Sequence, residues 1–77
     1  MAKFNDIPLN NRMVIALIQD CHANIQKAEC NVYVLLEKPV GVGDHPNIME
    51  NIQGQIDIIS QNKDRLNVLN TDFYEED

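Results

Sequence analysis

The residues able to do chemistry are few: the histidines His22 and His45, the cysteines Cys21 and Cys30, and the glycine-bearing stretch "PVGVGDHP", residues 39–46. A metal centre needs several such ligands converging on one point. By helical rise His22 and His45 stand roughly 20 Å or more apart, so one chain does not bring them together. A twofold axis could face His22 with His22 of another copy, but an ordinary surface imidazole is the expectation. Cys21 and Cys30 are nine positions apart and fall on opposite sides of a helix, and no C-x-x-C occurs. Cys21 is expected to behave as a small apolar core residue and Cys30 to face outward. Neither has a base beside it, which argues against nucleophilic catalysis.

The stretch "PVGVGDHP" raises the question of a phosphate loop. Such loops read G-x-x-x-x-G-K-[ST] or G-x-G-x-x-G between a strand and a helix, so that backbone N–H groups and the helix dipole converge on the anion. Here Gly41-Val42-Gly43 follows a helical pattern, the next helix opens at Asp44, and no lysine stands beside that opening. Pro39, Gly41, Gly43 and Pro46 therefore read as a turn, with Gly41 suited to the left-handed residue that closes a helix. No set of acid, base and nucleophile assembles, and a pair of helices offers no pocket of the usual kind. The expectation is a protein that is not an enzyme and takes no metal or cofactor.

The elements that carry these residues follow from apolar spacing. From Met13 to Leu36, Val14, Ile18, Cys21, Ile25, Ala28, Val32 and Leu35 recur in alternating steps of four and three, which is a heptad seam. This predicts a helix over about 9–38, with Asp6, Asn10 and Asn11 as candidate caps, Pro8 suited to a first turn, and Pro39 as its stop. A second helix is predicted over about 46–70. Asp44 or Asn47 could cap it, and its apolar face is Ile48, Ile52, Ile56, Ile59, Leu66 and Leu69. Gln55 and Asn62 project onto that same face. One or two polar residues in a seam often set register or oligomeric state, and the plainer alternative is that they sit at a wet edge. The acidic tail, 71–77, is expected to be frayed or non-helical, because carboxylates oppose the dipole at a helix C-terminus.

A connection of six or seven residues, 39–45, suits antiparallel neighbours, so the expected fold is an all-α, two-helix antiparallel hairpin forming a single domain. Met13, Leu17, Leu36, Met49 and Ile58 would stay partly exposed in an isolated hairpin. Two hairpins packed as a four-helix bundle would cover them, which makes a homodimer the expected assembly. Ala16, Ala23 and Cys30, one heptad apart with Val34 beside them, mark a second uncharged face on the first helix; alanine on a wet face is an equal reading.

Size and charge bear on partners. A chain of 77 residues leaves little volume for an enclosed core, and chains of this length commonly lean on a partner, metal or disulfides. The formal charge of −6 repels nucleic-acid phosphates and anionic membranes, and Lys3, Arg12, Lys27, Lys38, Lys63 and Arg65 form no cluster. The expected partner is a second copy of the chain or another protein, rather than a nucleic acid or a membrane. No apolar run approaches the ~20 residues that span a bilayer, and "MAKFNDIPLNN" lacks the apolar centre of a signal peptide. A cytoplasmic location is expected.

The segment "EKPVGVGDHPNIMENI" followed by "DRLNVLNTDF" resembles small helical-hairpin proteins of T4-like tailed phages, marine ones included. In those a helix, a P-x-G-x-G-[DE]-H turn and a second helix with a late L-x-x-L recur. The resemblance covers residues 35–73, carries no catalytic residue across, and implies a phage-encoded accessory protein acting in the host cytoplasm. The architecture is also similar to the Rop family of dimeric hairpins, which bind paired RNA loops through polar and basic residues on the outer face of their first helix. Arg12 and Lys27 are what this chain offers there. Two functions follow as expectations: a self-associating interaction protein, an adaptor or assembly factor, and, as the alternative, a Rop-like RNA-binding regulator.

Overall fold

The computed structural model describes residues 9–37 and 45–74. Leu9–Glu37 form helix α1 and His45–Val68 form helix α2, which runs directly into a π-helical turn, Leu69–Phe73. No strand occurs among the described residues. The protein is an all-α hairpin, and both helices begin and end within two residues of the expected bounds. Pro39, Gly41 and Gly43 of the expected turn lie outside the described residues, as do Asp6, Pro8 and Asp44. Pro46 falls in the first turn of α2, where its missing N–H costs nothing. Asn10, Asn11 and Asn47, offered as caps, lie inside the helices instead.

Two side-chain bonds between the helices set their direction and register. Asn24 Nδ2 donates to Asn62 Oδ1 at 3.2 Å, and Asn31 Nδ2 donates to Gln55 Oε1 at 3.1 Å. One heptad forward on α1 is thus one heptad backward on α2, which is antiparallel packing in a single register. The heptad seam of α1 faces inward along its length. Cys21, Ile25 and Ala28 are buried at its middle, and Val14, Ile18, Val32 and Leu35 are half-buried toward its ends.

The inward line of α2 differs from the expected one at one residue. It runs Ile48, Ile52, Gln55, Ile59, Asn62, Leu66, Leu69, an unbroken alternation of four and three, with Ile48 and Asn62 buried and the rest half-buried. Ile56, assigned to this face from its apolar character, is 46 % exposed. It stands one residue past Gln55, about 100° further around the helix, and the register gives the inward position to the polar neighbour. Side-chain polarity thus yielded to the period.

The C-terminal end is described as far as Tyr74, and residues 75–77 of the expected tail lie outside the described residues. The helix does not fray at Asp72; it widens into the π-helical turn, and the Tyr74 N–H donates to Leu69 O at 2.8 Å before the backbone of Tyr74 becomes extended. Leu69 continues the seam and the π-helical turn rests against α1, which holds this end in place against the unfavourable dipole. Phe73 and Tyr74 are both exposed.

Two substitutions test this packing. Ile25→Asp places an unpaired carboxylate in the seam and is expected to cost at least about 3 kcal/mol, lowering the melting midpoint by more than roughly 10 °C by circular dichroism. An unchanged midpoint would mean that Ile25 does not face α2. Gly54 lies within α2, and a Cβ built there meets nothing within 4 Å. Gly54→Ala is expected to stabilise by about 0.5–1 kcal/mol through helix propensity.

Candidate interaction surface

The hairpin is 55 Å long and only 14 Å through its thinnest direction. A slab of that thickness has two broad faces, and among the described residues no further element covers either. In an antiparallel pair, the positions just before the seam residues share one of these faces and the positions just after share the other. Leu17, Asn24 and Asn31 of α1 and Ile58 and Arg65 of α2 hold the first kind of position. Leu36, Met49 and Ile56 hold the second.

The first face carries the polar contacts. Asn62 is 3 % exposed, yet both ends of its amide are used: Oδ1 accepts from Asn24, and Nδ2 donates to Ile58 O at 2.8 Å. Asn24 also approaches Asp20 Oδ2 at 3.4 Å, a long bond. A buried amide satisfied in this way is tolerable, whereas a helix slipped by one heptad to set Leu17 beside Asn62 would leave its Oδ1 desolvated against an apolar side chain. The second pair, Asn31 with Gln55, is open to solvent and contributes less. Spacing alone singles out Gln55 and Asn62; their partners were missed. The missing signal was the matching heptad step from Asn24 to Asn31, each just before a seam residue.

Beyond the amides, toward the chain ends, the same face opens into a groove of about 530 Å³ between the helices. Its floor is apolar, formed by Leu17, Cys21, Val68 and Leu69, and Asp20, Asp64 and Arg65 stand around it. Leu17 and Val68 are exposed. On the opposite face, nearer the turn, Leu36, Met49 and Ile56 are exposed as well. The outer sides of the two helices also differ. Ala16, Ala23 and Cys30 lie exposed on α1, and Glu50, Asp57 and Asp64 recur at heptad spacing along α2.

The residues with reactive chemistry stay apart. Cys21 is buried in the seam and Cys30 is exposed. His22 is exposed on α1, and among the described residues no group of three or more His, Cys, Asp or Glu side chains is arranged to hold a metal ion. Arg12, one of the two cations an RNA-binding outer face would use, is half-buried, with its Nε enclosed. Among the described residues no helix is long and apolar enough to cross a membrane.

The amide contact is open to a double-mutant cycle. Asn62→Ala is expected to cost about 1–3 kcal/mol and Asn24→Ala about 1 kcal/mol, with a coupling of about 0.5–1.5 kcal/mol between them in denaturant unfolding. Strict additivity would show that the two side chains do not interact.

Comparison of the chain with protein-family models, with curated proteins and with solved structures finds no match.

Proposed function

We propose that this chain is a non-enzymatic helical-hairpin interaction protein that self-associates, two hairpins forming a four-helix bundle. One observation carries the reading: the hairpin buries little and exposes much. Cys21, Ile25, Ala28, Ile48 and Asn62 are the buried residues among those described, and no large side chain is completely enclosed. Leu17, Leu36, Met49, Ile56, Ile58 and Val68 remain exposed along the two broad faces. Isolated helix pairs of this kind are marginal, since each ordered residue loses backbone entropy that only burial offsets. Packing one slab on another buries a broad face of each and converts the thin seam into a core. The biological role that fits such an assembly is that of an accessory, adaptor or assembly factor, and the likeness of residues 35–73 to phage-encoded hairpins supports it.

Light scattering on size-exclusion chromatography tests the proposal, with reductant present because Cys30 is exposed. The expected mass is twice the 8.8 kDa of one chain. A mass of one chain at every concentration would refute self-association.

A further inference from the structure

We infer that the face of the assembly is the one bearing the Leu17, Val68 and Leu69 groove, and that its occupant is a second copy of this chain lying parallel to the first, so that Asp20 of each copy meets Arg65 of the other; this rests on the self-association proposed above. The register makes the case. Stepping one heptad toward the chain ends from the Asn24 and Asn62 pair brings Leu17 level with Leu69, next to Val68, at the floor of the groove. Asp20 and Arg65 then stand level with each other to within one residue, about 1.5 Å of rise, one on each helix of the same groove. The single side-chain hydrogen bond that Asp20 makes among the described residues, from Asn24, is long at 3.4 Å and leaves its carboxylate capacity for a stronger partner.

A twofold axis running along the hairpin, in the plane between two such faces, sets α1 of one copy over α2 of the other at the same height. Every contact is then made twice. Leu17 of each copy packs on Val68 of the other, and each Asp20 carboxylate faces an Arg65 guanidinium, so this pair of charges complements itself across the axis, while Asp64 stands on the outer side of α2. The same operation stacks the Asn24 and Asn62 amides of one copy on those of the other, and keeps the acidic outer side of α2, with Glu50 and Asp57, in water. An antiparallel docking of this face sets α2 on α2 and loses the Asp20 to Arg65 match. The opposite face, Leu36, Met49 and Ile56, supplies apolar contact but no such pairing of signs.

Sedimentation equilibrium on two single variants and their mixture tests the inference. Arg65→Glu alone sets two carboxylates against each other at both symmetric contacts, and Asp20→Lys alone sets two cations against each other there. Each is expected to weaken self-association about tenfold at low salt while its helical circular dichroism stays as in the parent. Mixed, the two variants form a heterodimer in which one contact joins the two introduced charges, of opposite sign, and the other keeps the parental Asp20 and Arg65. That heterodimer is expected to form within about threefold of the parental affinity. A pair made inside one hairpin would not be restored by mixing. If the parent dimerises but the single variants do so equally well, or the mixture is no tighter than either alone, this face is not the interface, and self-association by another face stands. If the parent is a monomer, both the inference and the reading beneath it fall.

Discussion

Two α-helices share one line of contact, and a side chain on that line can be covered from one direction only. That constraint shapes the rest of this molecule. Each helix keeps a strict heptad so that one residue of every three or four points at the other, and the line is shut off from water at its middle, around Cys21, Ile25, Ala28 and Asn62, and at Ile48 near the turn. The small side chains at Cys21 and Ala28 let the helices approach closely there. Elsewhere the same seam is half open, and among the described residues no further element lies over the residues that flank it.

Apolar contacts along such a line are nearly interchangeable, since sliding one helix by a heptad replaces one aliphatic pair with another. The amides remove that freedom. Asn62 Oδ1 accepts from Asn24 and Gln55 meets Asn31 one heptad along, so both amide pairs form together in this register, whereas a slip of one heptad keeps at most one of them. The cost is a weaker core in the stretch of the seam that is most enclosed. On the self-association proposed here, a hairpin that gives up apolar contact inside the pair, while keeping exposed leucines, isoleucines and valines on its faces, draws its stability from the second copy that covers them. The charges are distributed to match. Carboxylates line the outer side of α2, whereas the groove between the helices has both signs around an apolar floor.

Most of the architecture was legible in the pattern of apolar residues, because heptad spacing over Val14 to Leu35 leaves a helix no other face to bury. The end of α1 near Pro39 and the start of α2 near Pro46 follow from the missing N–H of proline, and both fall within two residues of expectation. Ile56 was misplaced because its chemistry suits a core while its position does not; period, once a partner helix fixes it, outranks the character of one side chain. The π-helical turn at Leu69–Phe73 was not legible, since it depends on contact with α1 and not on the local acidic composition. The amide partners Asn24 and Asn31 were visible as residues but not as contacts, for cross-helix pairing emerges only once the register is known.

The central claim is that a single hairpin is an incomplete fold, finished by a second copy. The most direct test is the thermal unfolding midpoint followed by circular dichroism as protein concentration is varied over a roughly hundredfold range. If folding and association are one process, the midpoint should climb steadily with concentration, by roughly 5 to 10 °C across that range. A sharp transition at the same temperature throughout would show that the hairpin is stable alone, and that its exposed faces are not what holds the structure together.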